Sequence, residues 1–289
     1  GQHHVRRNAL QVLHQALRDK SRTVGDINEV SVRFKMIIDE TSDESMARLL
    51  FYLNLLPNND KTTIFYGSSF EQDNSESYKS DLVNRIVLAM ERGDTAVMMH
   101  TDSVHDNFYD LFNQHFRHML YQVGQSTEQR YYADIAVGTY SRPVSVHPNF
   151  QCIVIVKSSQ LATMPPPFLN RFEKYRINPV TVLKFVKGIL TSDVQRFAID
   201  QAFVKCSELI DVVNRKNFYG LSSKDTHHAI CSLILSSLRP AYLWDAVKES
   251  ESSEIDAKQG DVKQHHMRVK TGSGSGSGRC EGTFSVGVV

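Results

Sequence analysis

What most constrains this chain is an alternation of short β-branched runs with longer amphipathic segments between residues 34 and 157. Phe34-Lys35-Met36-Ile37-Ile38, residues 61–66 (KTTIFY), residues 95–99 (TAVMM) and residues 151–157 (QCIVIVK) each read as a strand, bounded by glycine or by residues that favour turns and helix caps. Between the first two, residues 46–56 carry Met46, Leu49, Leu50, Leu53 and Leu56 on one side. Residues 76–92 do the same with Leu82, Val83, Ile86 and Met90, and Gly93 then ends the helix. Strands separated by helices of 10–17 residues predict an α/β fold, a parallel sheet with helices on both faces.

The remaining segments attach to that frame. A first amphipathic helix is predicted over residues 6–18, with Leu10, Leu13 and Leu17 at helical spacing. Residues 104–119 are aromatic-rich and periodic in Phe108, Leu111, Phe112 and His115, which predicts another helix. Residues 131–146 are β-forming but broken by Gly138 and Arg142-Pro143, which suits a hairpin or a partly extended insertion. After Pro165-Pro166-Pro167 the pattern becomes helical through residue 247. The natural division is an α/β domain over 31–178 and a helical lid over 179–247. From Lys248 the apolar content collapses into an acidic stretch and a Gly-Ser run at 272–278, so 248–289 is predicted to be a disordered tail.

Composition narrows the function. Lys plus Arg is 33 against 32 Asp plus Glu, a net charge of +1 that provides no field for nucleic acid. Cys152, Cys206, Cys231 and Cys280 are too scattered for a disulfide framework and fit a reducing compartment. No apolar run approaches the roughly 18 residues of a membrane span. The chain begins Gly-Gln-His-His, which suggests a piece of something longer.

A sheet domain followed by a helical lid is an architecture of ring-forming nucleotide hydrolases. Such a protein needs a glycine-rich phosphate cradle after its first strand, with a Lys for the terminal phosphates and a Ser or Thr for magnesium. At that place stands Asp39-Glu40-Thr41-Ser42-Asp43-Glu44-Ser45, with four carboxylates, no Gly and no Lys. Electrostatics predicts that this turn repels a triphosphate.

The third strand should end in an acidic pair. Here Asp102 stands alone, with His100 and Thr101 where a pair would lie. It reads either as the remnant of a metal site or, more simply, as a solvated strand-end carboxylate. Following the proline cluster, Phe168, Leu169 and Phe172 can pack a short helix onto the sheet and leave Arg171 projecting. Arg171 is then either a surface partner of Glu173 or another carboxylate, or an arginine finger reaching a neighbour's phosphates. His227, His228 and Cys231 offer a weak zinc geometry on one helix, and His265-His266 with Cys280 a weaker one.

Several segments resemble the mysterin family of giant ring-finger ubiquitin ligases. They are Phe65-Tyr66-Gly67-Ser68-Ser69-Phe70, Asn84-Arg85-Ile86, Met90-Glu91-Arg92-Gly93, Tyr109-Asp110-Leu111-Phe112-Asn113-Gln114, Gly138-Thr139, Val146-His147-Pro148-Asn149-Phe150 and Pro167-Phe168-Leu169-Asn170-Arg171-Phe172-Glu173-Lys174. In order and spacing they are similar to one of that family's later AAA+ modules, over about residues 34–180. The resemblance implies a dynein-like ring of AAA+ modules in one chain, with adjacent modules and the ubiquitin machinery as partners. It implies ATP and magnesium in neighbouring modules and zinc in a ring finger that is not in this sequence, with no cofactor in this fragment. It further implies a cytoplasmic location and association with lipid droplets, and it makes residues 1–30 the helical end of a preceding module. It favours the finger reading of Arg171, since in a one-chain ring the finger of one module points into the site of the module before it.

The expectation is therefore a degenerate AAA+ module of an ATP-driven ubiquitin ligase, inactive on its own, with Arg171 acting in trans. The alternative is a non-enzymatic protein-interaction scaffold that keeps the nucleotide-hydrolase fold.

Overall fold

A computed structural model of the protein describes residues 9–18, 33–41, 45–53, 55–56, 61–68, 70, 75–123, 126–190, 192–213, 217 and 225–238. All belong to the first of two compact units, Gly1–Pro240; the second, Ala241–Val289, lies outside the described residues, and with it the predicted tail.

Five parallel strands form the central sheet: β1 (Phe34–Asp39), β2 (Thr62–Tyr66), β3 (Thr95–Met99), β7 (Gln151–Lys157) and β8 (Phe172–Ile177), in spatial order β2-β3-β7-β1-β8. Every residue of β1 and β3 is buried, which is why those runs are mostly apolar instead of alternating, and why the polar members of β1, Lys35 and Asp39, have partners inside the protein. One face presents Phe34, Met36, Ile38, Ala96, Met98, Cys152, Val154, Val156 and Phe172 to a core shared with Leu82, Val83, Ile86 and Met90 of α3 (Glu76–Arg92). Ser75 caps that helix by accepting from the Tyr78 amide, and Gly93 closes it in the left-handed region at φ 73°.

Helix α1 (Ala9–Arg18) packs against β8 and buries Leu10, Leu13 and Leu17. Lys35 of β1 lies directly opposite Glu173 of β8, and the two form an ion pair at 2.5 Å. Helix α2 (Ser45–Tyr52) buries Met46, Ala47, Leu49 and Leu50. The lid comprises α6 (Pro179–Ile189), α7 (Asp193–Val213) and α8 (Thr226–Ser237), and α8 packs against α6, α7 and α2.

Two segments differ from the sequence reading. The helix predicted over 104–119 is a 3-10 segment (Asp102–Phe108) running into a short α4 (Tyr109–Asn113). Gln114 adopts a positive φ of 57° and closes α4, and residues from Arg117 onward enter a strand. Phe108, Leu111 and Phe112 are buried as their spacing implied, whereas His115 is exposed beside Asp110. That strand, β4 (Arg117–Val123), opens an antiparallel three-stranded sheet with β5 (Ser126–Val137) and β6 (Tyr140–Val146). The predicted hairpin is β5–β6, turning at Gly138 with φ 62°. β4 escaped notice because every one of residues 117–122 is exposed, so it has no apolar alternation to read.

The second difference follows the prolines. α5 covers only Pro166–Leu169, and Phe172 opens β8 instead of closing a helix. β8 is an edge strand whose faces mix charged and apolar residues (FEKYRI), which hides its period.

Candidate functional site

In a parallel sheet, ligands bind beyond the carboxyl ends of the strands, at the point where the chain's winding reverses direction. Here that point lies between β1 and β7, where the loop after Asp39 leaves the sheet. Asp39 is not a loop carboxylate as the sequence suggested. It is the last residue of β1, 1% exposed, and its Oδ1 accepts from the Thr41 amide at 2.7 Å and the Thr41 hydroxyl at 2.5 Å. This is the short side-chain-to-backbone turn typical of aspartate.

Glu40 turns toward the lid junction. It accepts from Asn178 Nδ2 at 2.6 Å and lies 3.4 Å from Arg176 Nη1. Asn178 in turn caps α6 by accepting from the Thr181 amide at 2.8 Å. From α8, Ser232 donates to Ser45 Oγ at 3.2 Å, and Ser45 reaches Thr41 Oγ1 at 3.5 Å. Sheet and lid are thus joined by hydrogen bonds on both sides of the loop. Ser42, Asp43 and Glu44 lie outside the described residues.

At the end of β3, His100 takes a positive φ of 54°. Gly67, after β2, donates to the Met99 carbonyl at 2.8 Å and lies so close to His100 that a Cβ would stand 1.7 Å from its carbonyl oxygen. Only glycine fits there, which explains physically the glycine of the Phe65–Phe70 motif. Asp102 opens the 3-10 segment with its side chain 57% exposed, 3.7 Å from His105 Nδ1. His105 is buried, bonded through Nε2 to Thr101 Oγ1 at 3.0 Å and stacked on Phe168 at 4.6 Å. Burial pushes its pKa down to about 4, against the opposing pull of Asp102 and Asp106.

Arg171 lies elsewhere. It immediately precedes β8, whose Phe172 stands opposite Phe34, so it occupies the amino end of the sheet. Its backbone is held by the Phe168 carbonyl at 3.1 Å, and the adjoining Asn170 carbonyl accepts from Arg33 at 2.7 Å. The guanidinium carbon sits 4.2 Å above the centre of the Tyr109 ring. Glu173, the carboxylate suggested by spacing, faces Lys35 and Tyr175 instead. Among the described residues no carboxylate pairs with Arg171. The structure therefore does not bring Asp102 and Arg171 into one site: Asp102 lies beside His105, which stacks on Phe168, whose carbonyl holds the Arg171 amide.

Among the described residues no group of three or more His, Cys, Asp or Glu could hold a metal ion. His227 packs against Phe203 with ring centres 4.8 Å apart and the planes tilted by 53°, and burial raises the Cys231 thiol to about 11. His265, His266 and Cys280 lie outside the described residues. Sequence reasoning missed Tyr109, His105, Asn178 and Ser232. Tyr109 and Asn178 carried weak signals, the first inside a motif segment and the second as an N-cap residue before proline. Ser232 carried none.

Residues 25–183 match the family model described as the RNF213 AAA domain. A Dictyostelium discoideum protein named an uncharacterized transmembrane protein is 32% identical over 62% of the chain. The E3 ubiquitin-protein ligase RNF213 of Mus musculus is 30% identical over 51% of the chain, and that of Homo sapiens 32% over 44%. The chain spans only 2–3% of the length of these relatives. No helix among the described residues is long and apolar enough to cross a membrane. The matched segment covers more than half of the chain and carries the five-stranded parallel sheet just described, so the protein belongs to the RNF213 AAA-domain family and is an AAA+ module of an E3 ubiquitin-ligase family.

Proposed function

We propose that this module has lost its own nucleotide site and serves an ATP-driven ubiquitin ligase by completing a ring and by supplying Arg171 in trans. One observation carries the first half. Among the described residues of the turn, groups that would have to face a phosphate are bonded inside the protein, the Thr41 amide to Asp39 and the Ser45 hydroxyl to Thr41 and Ser232. With neither Gly nor Lys between residues 39 and 45, these residues do not fit a triphosphate. Repulsion by the loop, expected from sequence, is for Asp39 and Glu40 better described as prior engagement with Thr41 and with Asn178.

The second half rests on where Arg171 lies. A side chain at the amino end of a parallel sheet is a strand's length from the carboxyl-end crevice of its own module, so a phosphate it meets must belong to another. Its guanidinium has no internal carboxylate to hold it among the described residues, and a permanently charged planar fork suits the charge that develops in phosphoryl transfer. Adjacent AAA+ modules and the ubiquitin machinery are its partners under this reading, in the cytoplasm and at lipid droplets.

ATP turnover by the intact multi-module protein carrying Arg171→Ala tests the trans role. Loss of a finger depresses turnover on the order of 10³-fold. Unchanged turnover removes the role and leaves the non-enzymatic scaffold.

A further inference from the structure

We infer that Tyr109 is a positioning residue for Arg171, an inference that rests on the trans role just proposed. The guanidinium carbon lies 4.2 Å from the Tyr109 ring centre, within the range of a cation held over an aromatic face. Tyr109 is the first residue of α4 and is 53% exposed, so its ring is a platform on the surface and not part of the core. The platform itself is firmly based. One turn earlier His105 stacks on Phe168, and one turn later Phe112 meets Phe168 at 5.8 Å and Phe172 at 5.2 Å. On the Arg171 side, hydrogen bonds fix the backbone through Phe168 and Asn170.

Both main chains are thus fixed while the long Arg171 side chain would otherwise sample many rotamers. The ring face restricts it without consuming its donors. A carboxylate partner would neutralise the fork, whereas an aromatic face orients it and leaves the N–H groups free for phosphate oxygens. Tyr109 touches no reacting atom under this account; it acts through Arg171 alone.

The test is a double-mutant cycle on ATP turnover by the intact protein, using Tyr109→Leu, Tyr109→Phe, Arg171→Ala and the Tyr109→Leu/Arg171→Ala pair. Tyr109→Leu should lower kcat about 3- to 5-fold with KM for ATP unchanged, as expected for an exposed cation–π contact. Tyr109→Phe keeps the ring and should retain wild-type turnover. Tyr109→Leu should cost nothing further in the Arg171→Ala background. If Arg171→Ala depresses turnover while Tyr109→Leu does not, the positioning role falls and the trans finger stands. A Tyr109→Leu loss that persists in the Arg171→Ala background, or a Tyr109→Phe loss equal to that of Tyr109→Leu, also overturns it. If Arg171→Ala leaves turnover unchanged, the trans reading fails and the positioning role falls with it.

Discussion

His105 gives the protein a dependence on acidity whose sign and size follow from its surroundings. The ring is sealed between Thr101, Phe112 and Phe168, and desolvation lowers its pKa from 6.5 to about 4. A histidine depressed in the folded state binds its proton more tightly when unfolded. Its contribution to stability is therefore complete above pH 6.5 and is lost as the pH falls from 6.5 toward 4. The full difference is on the order of 3 kcal/mol, and between pH 7.5 and pH 5 about 2 kcal/mol of it should disappear.

The measurement is urea unfolding of wild type and His105→Phe at both pH values. Phenylalanine keeps a ring against Phe168 but cannot titrate, and it leaves the buried Thr101 hydroxyl without its partner at a cost of about 1 kcal/mol. The variant should therefore be the weaker protein at pH 7.5, by about 1 kcal/mol, and the more stable one at pH 5, where wild type has lost about 2 kcal/mol that the variant keeps. If the two stabilities fall in parallel, His105 is not the group that titrates, and the argument from its burial is wrong.

Three other outcomes follow from single contacts. Gly67→Ala forces a Cβ onto the His100 carbonyl, which is backbone and cannot step aside, and should lower stability by about 2–3 kcal/mol in the same unfolding assay. Glu173→Ala leaves the buried ammonium of Lys35 with the Arg33 carbonyl but without its counter-charge and should cost more than Lys35→Met, which removes the charge with it; the order of the two midpoints decides. Asn178→Ala deletes both the α6 cap and the bond to Glu40, and should cost about 1–2 kcal/mol while raising amide exchange in residues 179–183.

The strands that run through the middle of the sheet were readable before any coordinates, because a strand buried on both faces must be apolar throughout. β1, β3 and β7 come close to that condition, with apolar runs at residues 36–38, 96–99 and 152–156 interrupted within β1 only by Lys35, which is ion-paired, and ended by Asp39. Edge strands need not: β2 was still read from its β-branched and aromatic run, but β4 and β8 were missed, one exposed over residues 117–122 and the other holding Glu173, Lys174 and Arg176 beside Phe172 and Tyr175. Aromatic spacing correctly identified Phe108, Leu111 and Phe112 as core but could not reveal that the helix stops at Gln114, since a positive φ at glutamine has no strong sequence signature.

The site was legible in residue types and illegible in partners. The absence of Gly and Lys after β1 could be read directly, and so could Arg171. That Glu40 belongs to the lid junction, that Ser45 meets Ser232, and that Arg171 rests on an aromatic ring are contacts between segments far apart in sequence, created only by folding. The location of Arg171 at the amino end of the sheet likewise depends on β8, a strand the sequence did not declare.

The central claim is that the turn following β1 has no room in its bonding for a polyphosphate. Equilibrium dialysis of the 289-residue chain against radiolabelled ATP with magnesium tests it most directly. The account predicts no saturable uptake at micromolar nucleotide; one equivalent bound tightly per chain, and lost on Ser45→Ala, would contradict it.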